Sequence, residues 1–513
     1  MHVVATAVFV ALFVLVSILG FLSARWRRGD LRHLHEWGLG GRRFGGWITW
    51  FLIGGDLYTA YTFIAVPALV FGAGALGFFA VPFTVLVYPL VFSILPRFWS
   101  VTKAHGYVTA ADFVAGRYGS PTLALVVALT GIVATMPYIA LQLVGIQVVV
   151  AALGFTGGHG LLGDLPLIVA FVVLAAFTYT SGLRAPASIA VVKDLLVYIT
   201  VAALIVVVPI KLGGFGAIFA SIPRTHLLLP PVKAGNLGLQ SLYPTLALGS
   251  ALALMLYPHA TTAVLAADSP KTLRRNLVFL PAYSMLLGLI ALLGYVAYAA
   301  GVEKLPDMQP YFRRYGPQFA MPGLLLHFFP GWFVGVGFAA VAIGALVPAA
   351  IMSIGAANLF TRNIYKAYIK PGCSAKTETE VAKLVSLMVK FGALLFVVYL
   401  PVKFAIQLQL LGGVLVLQTL PAVGTGLYTR WFEPKALLLG WAVGLCWGIW
   451  AASRSGFQQS GYALHLAGFV IPAYIGLYAL AWNFLVAIAA TALLRTLGLA
   501  DATDATVTAD YAG

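Results

Sequence analysis

The stretch Trp50-Phe-Leu-Ile-Gly-Gly-Asp-Leu-Tyr-Thr-Ala60 sets an acid in the middle of an apolar run that extends over residues 46–73. A bilayer crossing needs about 20 mostly apolar residues, and this run supplies them. Charge inside hydrocarbon is costly, so an acid there is by default a functional residue. Gly54 and Gly55 directly precede Asp56, and consecutive glycines let a helix unwind. An unwound segment frees carbonyls and amides, which is tolerated at membrane depth only against protein or a water-lined cavity. The plain alternative is a glycine pair used for helix packing, with Asp56 hydrogen-bonded to a neighbour. The default for intramembrane acids favours the functional reading.

A second interruption stands at Leu256-Tyr-Pro-His-Ala-Thr-Thr262. Pro258 removes a backbone donor and clashes one turn back, so a kink or break is expected. His259, Thr261 and Thr262 bring polar groups to the same depth. A lone histidine is as often structural as functional, and its place beside the break raises the second reading. The two interruptions lie five spans apart, so spans two to six and seven to eleven form two five-helix units. An odd number of helices per unit inverts the second unit relative to the first. Paired broken helices in corresponding positions mark the central binding site of a secondary transporter.

The composition agrees with this reading. Of 513 residues, 61% are hydrophobic and only 9% are charged, with a mean hydropathy of +0.97. A soluble domain carries about 25% charged residues, so a soluble enzyme and a disordered chain are both excluded. Thirteen apolar runs are expected to cross the membrane, near 3–23, 46–73, 75–96, 121–153, 163–181, 188–210, 243–266, 277–300, 331–358, 385–403, 405–429, 436–453 and 467–494. The expected fold is therefore an all-α polytopic membrane protein, a 5+5 inverted repeat whose units each open on a broken helix. Residues 3–23 form an extra N-terminal helix, 46–210 the first repeat and 243–429 the second. Residues 436–494 form two C-terminal helices, and 495–513 a cytoplasmic tail.

The formal net charge of +16 would suggest nucleic acid in a soluble chain; here it first concerns orientation. With the N-terminus outside, the inner loops and tail hold 22 Lys and Arg, Lys193 among them, and the outer loops hold 8. Lys390 falls within or at the start of a span. Orientation accounts for the charge, and nucleic acid is an unneeded partner. The outer stretch 211–243 is expected to hold a short surface helix. Cys373 and Cys446 lie in different segments with no partner spacing, so no disulfide framework or metal site is expected.

Other polar residues fall within spans. Tyr138 and Gln142, four apart on one helix face, are candidates for the central cavity, with Gln147 nearby. Gln407, Gln409 and Gln418 lie in the eleventh span. For any one glutamine, interhelical hydrogen bonding is the commoner role.

Several passages, in this order and spacing, resemble the sodium/solute symporter family over about residues 35–440. They are Gly38-Leu-Gly-Gly-Arg-Arg-Phe-Gly-Gly-Trp47, Ala111-Asp-Phe-Val-Ala-Gly-Arg-Tyr-Gly119, Thr180-Ser-Gly-Leu-Arg-Ala-Pro186, Pro258-His259 and Phe360-Thr-Arg-Asn-Ile-Tyr-Lys366. The resemblance implies a LeuT-type inverted repeat, often with thirteen helices. Glu36-Trp-Gly-Leu-Gly-Gly-Arg42, Gly54-Gly-Asp-Leu-Tyr-Thr-Ala-Tyr-Thr62 and Thr135-Met-Pro-Tyr-Ile-Ala-Leu-Gln-Leu-Val-Gly145 are most similar to the bacterial monocarboxylate permeases of that family, as is Leu256-Tyr-Pro-His259.

One departure matters. Family members that use sodium hold it between carbonyls at the second-span break and oxygens on the ninth span. By gap-free alignment those ninth-span positions are Gly344, Val347 and Pro348, and Ser353 is the one hydroxyl in 331–358. The resemblance therefore implies a disabled sodium site, a remnant at Gly54, Leu57 and Gly344, with Asp56 binding and releasing a proton instead. For the substrate it implies Gly55, Thr59, Tyr61, Tyr138, Gln142, His259, Thr261 and Thr262. The expected function is import of lactate, pyruvate or similar short monocarboxylates by alternating access, coupled to protons, across an inner membrane. The partners are the monocarboxylate, the coupling ion and the bilayer; no cofactor or metal is expected, and the oligomeric state stays open. The alternatives are a sodium-coupled carrier of another solute such as proline, pantothenate or acetate, and a membrane sensor component, for which the 495–513 tail is too short to hold a kinase. An intramembrane enzyme is not expected, since no H-E-x-x-H or G-x-S-x-G pattern occurs.

Overall fold

Backbone polar groups in hydrocarbon must be satisfied within their own segment, so apolar runs of this length fold as helices. The computed structural model describes residues 2–26, 29–56, 58–155, 165–399, 405–500 and 503–512. The chain opens with α1 (Val3–Leu22), the short α2 (Leu34–Leu39) and α3 (Gly46–Gly55). After the break come a π-helical turn over Tyr61–Ala65, α4 (Val66–Ala73) and α5 (Ala80–Ala104). Next are α6 (Ala110–Tyr118), α7 (Pro121–Ala152), α8 (Leu165–Ser181) and α9 (Arg184–Lys211). The stretch expected to hold one surface helix holds two, α10 (Phe215–Ser221) and α11 (Arg224–Leu227).

The second half begins with α12 (Leu239–Leu254) and α13 (Pro258–Leu265), bent by 48° at their junction. There follow α14 (Pro270–Phe279), α15 (Pro281–Ala299), α16 (Gln309–Tyr315), α17 (Ala320–Phe328) and α18 (Gly331–Phe360). Then come α19 (Ala375–Tyr399), α20 (Ala405–Val416), α21 (Leu420–Gly426), α22 (Pro434–Ser453) and α23 (Ile475–Thr496).

Every expected run falls on a helix or a broken helix, but not all are long and apolar enough to cross a bilayer. Among the described residues nine stretches qualify, or ten when α12 and α13 count as one bent span. Residues 61–104 qualify as one continuous stretch, where the sequence reading separated two. The helix α19, which overlaps the expected tenth run, is not among these stretches. The last span starts later than expected. Residues 467–474 do not begin a helix; a hairpin of β1 (Gly461–Leu466) and β2 (Phe469–Tyr474) precedes α23.

Side chains set the helix ends. Thr109, Ser120 and Ser269 each accept a backbone N–H of the first turn of α6, α7 and α14. Gly119 closes α6 in the left-handed region at φ 58°. The loops gather at two ends. At one end Leu183 N–H donates to Trp37 O at 2.9 Å, Asp268 N–H to Phe44 O at 3.0 Å, and Arg117 to Gly426 O and Thr429 O at 2.7 Å each. The tail docks at this end through Arg117–Asp504 and through His105–Asp510 at 2.8 Å. The Val507 N–H and His105 bonds hold the Asp510 carboxyl below its usual range. At the other end Leu237 N–H reaches Val470 O of the hairpin at 3.0 Å.

The helix α18 runs through the centre, with 94% of its apolar window buried. Small residues let its neighbours approach closely, as in membrane helix packing generally. Gly335 lies against the Ala5 carbonyl of α1, and Gly355 against the Pro258 carbonyl of α13. The second broken span is thereby pressed onto the core.

Candidate functional site

The break in the second span follows from its residues. Asp56 caps the end of α3, its N–H returning to Leu52 O at 3.2 Å, and helical geometry resumes at Ala60. Restarting a helix leaves N–H groups without partners. Two side chains take them: Gln142 Oε1 of α7 accepts the Ala60 N–H at 2.9 Å, and Thr59 Oγ1 accepts the Tyr61 N–H at 3.0 Å. Gln142 is fully buried, so it acts as a cap brought from another helix. Gln142→Leu orphans the Ala60 amide and is expected to cost about 1–3 kcal/mol. The readout is a lower unfolding temperature in detergent, and a variant as stable as the parent would remove Gln142 from this role.

The second break comes beside the first. Pro258 opens α13 as its first residue, after Tyr257 in an extended conformation, a position where its missing N–H costs nothing. This places His259 Nε2 at 3.5 Å from Asp56 Oδ2, with His259 0% and Asp56 5% exposed. The separation is in ion-pair range but falls short of a hydrogen bond. Neither ring nitrogen of His259 has a hydrogen-bond partner, nor does Asp56 Oδ1. Tyr138 stacks edge-on against His259 at 5.3 Å and against Tyr257 at 5.4 Å. The Tyr61 hydroxyl is also buried and unpartnered. Buried polar atoms left free together are what a ligand site needs. The junction of α3, α13 and α7 thus holds an acid and an imidazole, with the rings of Tyr138 and Tyr257 packed on the imidazole.

Other candidates fall elsewhere. Gly54 is packed so tightly that a methyl there would run into the Tyr283 ring. A cavity of about 40 Å³ touches Asp56 and is otherwise mainly apolar, with Ile53, Val91, Met255 and Val264 in its wall. Thr261 and Thr262 line a different cavity of about 20 Å³, with Thr109 and Thr419. The structure does not bring them to the acid, because α13 presents them to another wall; Thr261 donates to Pro258 O at 3.0 Å. Gly344, Val347 and Pro348 are buried in α18, and a methyl on Gly344 would meet nothing within 4 Å. Leu57 lies outside the described residues.

The sequence reading missed Lys193. It counts this residue with the inner-loop cations, although position 193 falls within the expected run 188–210. Instead Lys193 is 0% exposed within α9, and its ammonium donates to Gly55 O and to Tyr58 O, the latter at 3.0 Å. Without it the inner loops hold 21 cations and the outer 8, so the charge excess survives. The available signal was the charged doublet Lys193-Asp194 inside an otherwise apolar run.

Two broken helices meeting at a buried polar cluster, inside a helical membrane fold, define a secondary transporter. The model of the sodium:solute symporter family matches residues 37–428, and the chain belongs to that family. It is a multi-pass membrane symporter of a small solute and a coupling ion, not an enzyme. A monocarboxylate transport permease protein of Rhizobium johnstonii is 53% identical over 96% of this chain and 97% of that protein. An uncharacterized symporter of Bacillus subtilis is 34% identical over 86% of each chain. Among solved structures, the substrate-bound outward-open state of a Na⁺-coupled sialic acid symporter matches with a TM-score of 0.78. It covers 98% of this chain and 99% of that one at 15% identity, a likeness of fold.

Proposed function

We propose that this symporter imports short monocarboxylates such as lactate and pyruvate across a prokaryotic inner membrane, coupled to protons, with its N-terminus outside and its C-terminus cytoplasmic. The similarity to the Rhizobium monocarboxylate permease supports the substrate class. The observation that carries the coupling is the buried Asp56–His259 pair at the crossing of the two breaks. A carboxylate withdrawn from water keeps its charge only when paired. Asp56 has one imidazole at 3.5 Å and an unpartnered Oδ1, a setting in which gaining and losing a proton is a local event. A proton and a monocarboxylate crossing together move no net charge. The free Tyr61 hydroxyl and the ring N–H of His259 are donors suited to a carboxylate.

The test is uptake of labelled lactate and pyruvate into proteoliposomes, under an inward proton gradient or an inward sodium gradient imposed separately. Accumulation is expected with the proton gradient alone. Accumulation that needs sodium would instead make the chain a sodium-coupled carrier. Absence of uptake under either gradient would overturn the substrate assignment and leave the family standing.

A further inference from the structure

Lys193 and Asp194 are both 0% exposed and stand 3.2 Å apart in α9, beside the break that carries Asp56. The carboxylate is held from its far side by the Tyr283 hydroxyl, which donates to Asp194 Oδ2 at 3.1 Å. Tyr58 in turn donates to Tyr283 O at 3.1 Å. A simple ion pair would need only the carboxylate. The Lys193 ammonium reaches further, to the main-chain carbonyls of Gly55 and Tyr58 on either side of the break.

Those carbonyls carry the argument. Unwound backbone at the midpoint of a membrane carrier offers carbonyl oxygens to a small cation, and such an ion normally enters and leaves. At this break a side chain of the same molecule supplies the cation. Two of the ammonium's N–H groups go to these carbonyls, and Asp194 Oδ1 at 3.2 Å balances the charge as an ion-pair partner. The neighbouring α18 adds no hydroxyl to complete a site for a free ion. Its one hydroxyl, Ser353, is engaged by Ala350 O at 2.8 Å and Ser386 at 3.0 Å. Space is also closed, since a methyl on Gly55 would already meet Lys193 Nζ at 3.1 Å.

We propose that Lys193 is a tethered cation, permanently filling a small-cation site at the break of the second span, so that the carrier holds this break without sodium. The idea deepens the proposed proton coupling and rests on it only for which ion drives transport.

The test needs no substrate, so its failure is separate from failure of the uptake assay. The purified full-length chain in detergent is melted in NaCl and in choline chloride at equal ionic strength. The unfolding temperature of the parent is expected to be the same in both. Lys193→Ala is expected to melt several degrees lower, and to recover at least half of the loss in methylammonium chloride, saturably. Tetramethylammonium chloride, which has no N–H to donate to the carbonyls, is expected to restore nothing. Lys193→Met, which keeps the length without the charge, covers the case in which the Ala variant does not fold, and is expected to melt below the parent. Specific stabilisation of the parent by sodium, a Met variant as stable as the parent, or an Ala variant indifferent to methylammonium would each overturn the proposal.

Discussion

Asp56→Asn is expected to end proton-driven accumulation while leaving exchange of labelled for unlabelled substrate near the parental rate. Each factor of ten in concentration is worth about 1.4 kcal/mol, the same as one unit of pH. A one-proton carrier under a gradient of about one pH unit therefore concentrates its solute about tenfold at the limit. The Asn variant has no proton to carry and should level off at equal concentrations inside and out. The substitution is conservative in shape. Asn fills nearly the same volume and still faces His259 at the α3–α13 crossing, so loss of folding does not explain the result. Retained exchange shows that the substrate site and the rocking motion survive. Full accumulation in the variant would sink the assignment of the proton to Asp56.

The parts of this protein that were legible in the sequence are those that break a rule locally. A glycine pair next to an acid, and Pro-His inside an apolar run, each violate the pattern of a continuous membrane helix, and both lie at the crossing of the broken spans. Gln142 was legible as a polar residue on the right face. Its task, capping Ala60 N–H 82 residues away, depends on where α7 packs, which no local pattern contains. Lys193 was hidden for a different reason. A cation near a helix start reads as a loop charge, and only the packing of α9 against the broken span turns it inward. The hairpin before α23 was missed because Val470 and Ile471 continue the apolar run; only their pairing with β1 makes them a strand. Thr261 and Thr262 show the converse. Their depth was legible, but the wall they face was set by the rotation of α13.

The permease-like passage Glu36–Arg42 and the family passage Thr180–Pro186 prove to be one contact. Glu36 from the first and Arg184 from the other lie 148 residues apart, and both are nearly inaccessible, 4% and 1% exposed. Arg184 binds the Glu36 carboxylate and also donates to Glu36 O at 2.8 Å. Glu36→Ala is therefore expected to destabilise the protein by about 3–5 kcal/mol, the usual result of stranding one member of a buried pair. Arg43 also binds Glu36, but its side chain is 50% exposed, so Arg43→Ala should cost no more than about 1 kcal/mol. A double-mutant cycle on unfolding in detergent separates the two, with Arg184→Met as the second arm. The double variant Glu36→Ala/Arg184→Met should lose less than the sum of the singles, because neither partner is left charged without the other. Strict additivity would mean that the two residues stabilise independently. The same pair anchors α2 to the first turn of α9, the helix that carries Lys193 to the break. Glu36→Ala should therefore slow uptake as well as lower stability, although position 36 lies in α2 and not at the crossing of the broken helices.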